Sequence, residues 1–579
     1  MKKLQNIAAG LSFLLLAALI MPGPARAQNP APADILVVAG SITNIHGKGM
    51  NDATVRIFIN QEEINVIHTG KEGRFYEQTA LPQGVKDGDS TLTMRVERAG
   101  YINQTVPVDK ILDYGYDKNG SRIYASQTNI IMDNDINAAF WIATGVLILI
   151  YILIAAELLH RTLAAFLGGA LLLAISYTIG SFNPDYFIVS FEAAMSAIDL
   201  NVVFLLMAMM MIVGVTKKTG LFQWMAYKAF HIARGNIFIL AAVLMFITAF
   251  VSAFLDNVTT MLLIIPVTLE ISRTLKLNPI ALLMPEVFAS NVGGTATLIG
   301  DPPNILIGSY AHLSFMDFAQ NLTLVCVICL AATILYMLWL FRKDLRAAKV
   351  EDIGRTVAAL RQEYRITNSK LLAQCLLLLA LTVFLFMIHG LLHMEPSVAA
   401  LLGASLLLVI SRVDIVEILE KEIEWPTLVF FIFLFVVIGA AEDTGLIQVV
   451  AEWVRDMSQG DLILAMMLIL WVSGVASALI DNIPFTATML PVVAFLTESI
   501  PGAGGGILWW CLALGACLGG NATMIGASAN VVTVGMADKA GYSITFMKYM
   551  KVAALPTAIT LIISSLWLLY VDLPHTLGN

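Results

Sequence analysis

The sequence predicts an all-α polytopic membrane protein of two inverted repeats, each with a re-entrant hairpin and a broken helix, preceded by a small all-β sandwich domain. Three observations predict it. Of 579 residues, 58% are hydrophobic and only 13% charged, against roughly 45–50% and 25% in soluble domains. Strand-like alternation is confined to residues 34–134, and apolar spans follow one another from 138 to 570. Those spans repeat themselves at nearly one offset.

At the start of the chain, Lys2 and Lys3 precede an apolar run from Ile7 to Ile20, and Ala25-Arg26-Ala27 forms an A-x-A site. The run is shorter than the ~20 residues a span needs, so residues 1–27 read as a cleaved signal peptide. The segment from Gln28 onward is then exported. Between 34 and 134, alternating runs recur at Ile35–Thr43, Ala53–Asn60, Ile64–Thr69, Arg74–Ala80, Thr91–Arg98, Thr105–Lys110 and Gln127–Met132. Turn signals such as His46-Gly47-Lys48-Gly49 separate them, as in a β-sandwich. The domain holds no cysteine, and His46 and His68 read as surface or packing residues. The pattern Gly40…Gly49…Ala53-Thr54-Val55, Thr69…Gly73-Arg74-Phe75 and Gly100-Tyr101 resembles carboxypeptidase-regulatory-like domains.

Repeat 1 covers 138–341 and repeat 2 covers 371–570, with a basic linker at 342–370 expected in the cytoplasm. At an offset of 225, Thr219-Gly220-Leu221 matches Thr444-Gly445-Leu446, Ser252-Ala253 matches Ser477-Ala478, and Asp256-Asn257 matches Asp481-Asn482. One residue of slip later, Gly293-Gly294 matches Gly519-Gly520, Thr297 matches Thr523, and Asn304 matches Asn530. Residues 237–271 and 461–497 are long for one span and carry the Asp-Asn pairs at their midpoints, so each reads as a hairpin. Each half then crosses five times, giving about 10 full spans plus 2 hairpins. An odd number of crossings inverts the second half. Charge agrees. The expected inner loops 159–162, 217–235, 272–279, 342–370, 412–425 and 537–551 hold the lysines and arginines, whereas the expected outer loops carry only Arg455.

The stretches GGTATLIGDPPN (293–304) and GGNATMIGASAN (519–530) break helices with glycines, hydroxyls and amides. Irregular backbone inside a membrane is tolerated only where it is buried in protein or lines a cavity. Freed carbonyls and side chains there can hold a cation, and half-helix N-termini can face an anion. The candidate ion- or substrate-binding residues are Ser252, Asp256, Asn257, Asn291, Gly293, Gly294, Thr295, Thr297, Asp301 and Asn304 in repeat 1. Repeat 2 supplies Ser477, Asp481, Asn482, Gly519, Gly520, Asn521, Thr523 and Asn530. A mid-membrane carboxylate costs about 2.5–3.5 kcal/mol and is kept for ion binding or proton transfer. Asp256 and Asp481 therefore read as coupling residues, with capping of the next half-helix as the other role. Asp301 faces Ala527 in the alignment, so it biases the site toward one coupling ion or ends the unwound turn.

Glu286 is a second-tier candidate, and Glu157 is expected to pair with Arg161 at i, i+4. Met207–Met211 and the Cys326/Cys329 pair read as packing. No phosphate loop, HExxH or nucleophile elbow supports a pump or an enzyme, and no basic patch suggests nucleic acid. No catalytic residue, organic cofactor or structural metal is expected.

AFLDNVTTMLLIIPVTL (253–269) followed by NVGGTATLIGDPPNILIGS (291–309) resembles the signature of the citrate-transporter-like, or ion transporter, superfamily. The nearest branch holds the melanosomal P protein, arsenite permeases and NhaD-type sodium/proton antiporters. The resemblance implies secondary active transport of a small ion, coupled to H+ or Na+, with Na+ at Asp256, Asn257, Asp481 and Asn482. It also implies a homodimer with an elevator-like motion. Divalent-anion/sodium relatives carry Ser-Asn-Thr at the hairpin tips, where this chain has Asp256-Asn257-Val258 and Asp481-Asn482-Ile483. That departure favours proton or sodium coupling. The expected location is a bacterial inner membrane, with the β domain in the periplasm. The alternative is a sensor that no longer transports.

Overall fold

The computed structural model describes residues 35–44, 50, 53–59, 62–70, 73–80, 92–98, 101–107, 112–116, 122–132, 136–347 and 365–578. The signal segment, His46 and most of the basic linker lie outside them. The chain divides into two compact units, 1–135 and 136–579.

Among the described residues of the first unit, eight strands form two four-stranded sheets. These are β1 (Ile35–Asn44), β2 (Thr54–Ile59), β3 (Glu62–His68), β4 (Arg74–Ala80), β5 (Leu92–Glu97), β6 (Gln104–Pro107), β7 (Leu112–Tyr116) and β8 (Arg122–Met132). One sheet runs β4-β1-β8-β7 and the other β3-β2-β5-β6. Every pairing is antiparallel except β1 with β8. Alternation buries Val55, Ile57 and Ile59 of β2 with Leu92, Met94 and Val96 of β5. Gly40 is required by contact, because a Cβ there would lie 2.0 Å from the Thr128 carbonyl oxygen. The sequence pattern finds seven of these strands and misses β7. Leu112–Tyr116 carries little apolar alternation of its own and is held by β8 at the sheet edge.

The second unit is helical, and each helix of the first repeat has its counterpart nine helices later. Repeat 1 contains α1 (Ala138–Ala155), α2 (Arg161–Tyr177), α3 (Leu200–Lys217), α4 (Leu221–Ala233), α5 (Ile237–Ser252), α6 (Asn257–Thr274), α7 (Ile280–Thr295), α8 (Pro302–Tyr310) and α9 (Phe315–Leu340). Repeat 2 contains α10 (Ser369–Ile388), α11 (Pro396–Ser411), α12 (Trp425–Asp443), α13 (Leu446–Ser458), α14 (Leu462–Leu479), α15 (Asn482–Ser499), α16 (Ile507–Gly519), α17 (Ser528–Lys539) and α18 (Phe546–Trp567). The hairpins are α5–α6 and α14–α15, and the broken helices are α7–α8 and α16–α17. Among the described residues, eight helices are long and apolar enough to cross a membrane, and three shorter apolar helices accompany them. The Met207–Met211 run packs in the core of α3, and Cys326 and Cys329 are buried, free thiols of α9.

α4 and α13 replace what the sequence reads as loops. Each starts after a left-handed glycine, Gly220 at φ 78° and Gly445 at φ 88°, and each ends at a left-handed C-cap, Arg234 or Gln459. α13 sets Ile447 and Ala451 in the core while Glu452 and Asp456 lie on other faces, so it is an amphipathic helix too short to span.

The repeats interlock: α2 packs on α12 and α3 on α11, while hairpin helix α6 packs on α17 and α15 on α8. Loops expected on the same side touch one another. Lys217 pairs with Glu422 at 3.1 Å and Lys218 with Glu417 at 2.5 Å, joining two loops expected inside. On the other side, Asn201 donates to Ser309 Oγ at 2.9 Å and the Phe315 N–H donates to His389 Nε2 at 3.2 Å.

Candidate ion-binding site

Both hairpins turn at an aspartate that caps the returning half-helix. Asp256 Oδ1 accepts from the Thr259 N–H at 2.9 Å, and Asp481 Oδ1 accepts from the Ile483 N–H at 3.1 Å. The capping role is therefore seen at both tips, satisfying N–H groups that lipid could not. Each break is tied to its tip by a threonine: Thr297 Oγ1 donates to the Ala253 carbonyl and Thr523 Oγ1 to the Ala478 carbonyl, each at 2.5 Å. Ser252 accepts from Ser290 Oγ at 3.1 Å, and Ser477 donates to the Ala516 carbonyl at 2.6 Å.

The carbonyls freed by the breaks are taken up internally. Asn304 Nδ2 donates to the Thr295 and Thr297 carbonyls at 2.9 and 2.8 Å, and Asn530 Nδ2 donates to those of Gly520 and Thr523 at 2.9 Å each. The glycines act through close approach. None of Gly293, Gly294, Gly519 or Gly520 has a positive φ. A Cβ on Gly293 would lie 2.1 Å from the Ala249 carbonyl oxygen, and one on Gly519 would lie 2.4 Å from Gly474 Cα. The breaks are locked against the hairpins.

At the centre the two repeats meet through carboxamides. Asn291 Nδ2 donates to Asn521 Oδ1 at 2.8 Å and Asn530 Oδ1 at 2.9 Å. Asn257 Nδ2 donates to Asn291 Oδ1 and to Asp301 Oδ1, both at 3.1 Å. Asp301 is fully buried, as are Asn291, Asn304, Asn521 and Asn530. Its Oδ2 makes no well-formed hydrogen bond, Asn482 and Cys517 being the donors that face the carboxylate, and Asn521 Nδ2 has no partner. The charges of Asp256 and Asp481 act on Asp301. The candidates read on the tips and breaks lie together at this junction, whereas the second-tier Glu286 stands apart from it on α7.

A cavity of about 590 Å³ opens beside it, lined by Glu157, His160, Arg161, Glu424, Thr427, Asp481 and Ser528 among others. Its walls include the 159–162 and 412–425 loops expected inside. Arg161, which sequence reasoning missed, stands at its floor: Nη1 donates to Asp481 Oδ2 at 3.1 Å and to the Ser528 hydroxyl, and Nη2 donates to Thr427 Oγ1 at 3.2 Å. The guanidinium lies 5.3 Å from the Phe430 ring centroid. The expected Glu157–Arg161 pair is absent among the described ion pairs. Glu157 sits at φ 53° in the turn between α1 and α2, so the helical i, i+4 geometry does not exist there. The available signal was an arginine opening an apolar span. Counted as a loop charge, it looked like one more inside-positive residue.

Glu286 is buried in α7 and accepts from Thr268 Oγ1 at 2.8 Å through Oε1, while Oε2 has no partner.

Two hairpins and two broken helices closing on one buried polar centre define a repeat-built membrane transporter. The chain belongs to the citrate transporter (CitMHS) family, whose profile matches residues 151–515. It is 41% identical over 438 residues to an uncharacterized transporter of Mycobacterium bovis, covering 75% of this chain and 99% of that one. It is 36% identical over 486 residues to the P protein of Homo sapiens, covering 71% of this chain and 57% of that longer relative. The solved YdaH transporter of Alcanivorax borkumensis shares the fold, at TM-score 0.51 and 15% identity, over 73% of this chain and all of that one.

Proposed function

We propose that this chain is a secondary active transporter in which H+ or Na+ occupies the carboxylate–carboxamide centre, with cation/proton exchange as its activity. The observation that carries this reading is Asp301, fully buried, with neutral groups alone around its carboxylate (Asn257 as donor, Asn482 and Cys517 facing it) and no basic partner among the described ion pairs. A carboxylate so placed must take a proton or a cation. The cavity sharpens the sign. Glu157, Glu424 and Asp481 outnumber Arg161 among its charged walls, which favours entry of a cation. A second reading, cation-coupled uptake of a small carboxylate, is supported by the family's description and by Arg161, the lysine or arginine that lines the cavity. The protein works in this reading as a homodimer in a bacterial inner membrane, its β domain in the periplasm.

Purified protein in liposomes with a lumenal pH dye and an outward proton gradient tests the two. Lumenal alkalinisation on adding Na+ or Li+ alone is the expected result. Silence toward both, with a response to citrate or arsenite, would replace exchange by anion transport.

A further inference from the structure

Glu286 is a second buried carboxyl that the centre does not use. It stands on α7 in an apolar cluster built by α5, α6 and α7 with Tyr549 and Ala553 of α18. Its position relative to the centre is fixed by helix geometry. Ser290 is one turn further along α7, roughly 6 Å in rise, and donates to Ser252 Oγ at 3.1 Å and to the Asn257 carbonyl at 3.4 Å. Asn257 in turn holds Asp301. In the other direction, Thr268 bonds Glu286, and Ser272 comes one turn later on α6, next to the 272–279 loop expected inside.

This line of polar groups is buried and incompletely satisfied. Thr260, Thr268, Ser272 and Ser290 are each at most 1% exposed, and Thr260 Oγ1, Ser272 Oγ and Glu286 Oε2 have no partner. Buried polar atoms are normally paired, so three orphans along one helix pair mark a place where something transient binds. The titratable groups on elements packed against α7 are Glu270 and Arg273 on α6, Asp317, Cys326, Cys329 and Tyr336 on α9, Cys511 and Cys517 on α16, and Asp538 and Lys539 on α17, with Tyr227 on α4 and Tyr549 on α18 in the same cluster. Among the described residues none forms an ion pair or a hydrogen bond with Glu286. An isolated carboxyl in apolar surroundings holds a proton in preference to a charge. Repeat 2 has Leu512 at the equivalent place, one residue of slip included, so the feature belongs to repeat 1 alone.

We propose that Glu286 is a proton-carrying site of the transport cycle, placed between the inner surface and the ion-binding centre and reached along Ser272 and Thr268. The proton arrives in water entering from the inner side past Ser272 and Thr268, is taken up directly on the unpartnered Oε2, and leaves toward Ser290 and the centre; the Thr268 hydroxyl lines the route without relaying the proton and keeps its bond to Oε1. This inference rests on the reading of proton-coupled transport, and its test separates the two.

Infrared difference spectroscopy of the full-length protein reads the carbonyl stretch of a protonated carboxyl without any transport. A band that titrates with pH and is missing in Glu286→Gln is expected. Its absence from the wild type at every pH overturns the proposal, whatever the flux does. In liposomes, Glu286→Gln is expected to lower Na+-driven proton flux by roughly 100-fold while 22Na+ counterflow, which needs no net proton movement, continues. Glu286→Asp restores part of the flux, and Thr268→Val shifts its pH midpoint upward, because the ionised carboxylate loses a donor. Full proton flux in Glu286→Gln, or equal loss of both fluxes in a protein that melts as the wild type, overturns the proposal. A titrating band in a protein that exchanges no ions would leave Glu286 as a proton site and defeat the exchange reading instead.

Discussion

The two hairpin tips began as copies and now differ in charge. Asp256 caps α6 and has no ion-pair partner among the described residues, whereas Asp481 caps α15 and also takes Arg161 and the Ser528 hydroxyl at 3.1 Å each. Arg161 opens α2, and its counterpart helix α11 opens with Pro396. The breaks diverge in the opposite sense. Repeat 1 supplies Asn291 and Asp301 where repeat 2 has Cys517 and Ala527, and repeat 2 supplies Asn521 where repeat 1 has Thr295. One repeat therefore brings the unpaired carboxylate to the centre and the other brings a neutralised one. Duplication fixes the backbone frame, and substitution within it yields one charge-asymmetric site in place of two equal ones.

Substitutions at matched positions test that asymmetry, the largest effect first. Asp481→Ala leaves the half-buried Arg161 without the carboxylate it pairs with; breaking a fully buried pair costs about 3–5 kcal/mol, and the opening to the cavity lowers the expected loss to about 2–3 kcal/mol. Thermal unfolding in detergent is expected to show that loss, and Asp481→Ala with Arg161→Leu to recover much of it. No recovery would mean that the pair is not the source of the difference. Gly293→Ala and Gly519→Ala drive a methyl into Ala249 and Gly474 respectively and are expected to lose about 1–3 kcal/mol each by overpacking. Equal losses would show that close packing, unlike charge, has stayed symmetric.

Asp256→Ala loses only a cap, about 1 kcal/mol. Asp256→Asn keeps the cap and is expected to leave the melting temperature unchanged while abolishing coupled flux. Full flux in that variant would reduce Asp256 to a structural role.

The smallest effect lies outside the membrane. Lys218 beside it holds the Glu417 carboxyl below its ordinary 4.5. A lowered carboxylate contributes stability above its unfolded value and loses it as the pH falls through the folded one. The difference in melting temperature between wild type and Glu417→Gln is therefore expected near neutrality, shrinking as the pH falls below 4.5, vanishing only beneath the lowered folded value, and lost in high salt.

Much of this molecule is legible along the chain. Apolar spans and the 225-residue echo announce the repeats and hairpins, and the one-sided lysines and arginines give an expected sidedness, because lipid forces length, backbone satisfaction and charge placement on each segment separately. The residues of the centre were legible for the same reason: polar groups at mid-span have few innocent explanations. The helices α4 and α13 were not, since a 13-residue helix that does not span lacks the apolar signal.

Pairing was decided elsewhere. Nothing near Arg161 in sequence announces Asp481, which lies 320 residues away, and the local partner Glu157 was the wrong one. Nor does the sequence say that Asn291 of one repeat holds Asn521 and Asn530 of the other, or that the glycines of the breaks allow close contact with the hairpins. A side chain's chemical type and its depth in the membrane follow from local sequence. Which charge neutralises which, and which carboxylate is left to take an ion, depends on contacts between segments that only the closed fold brings together.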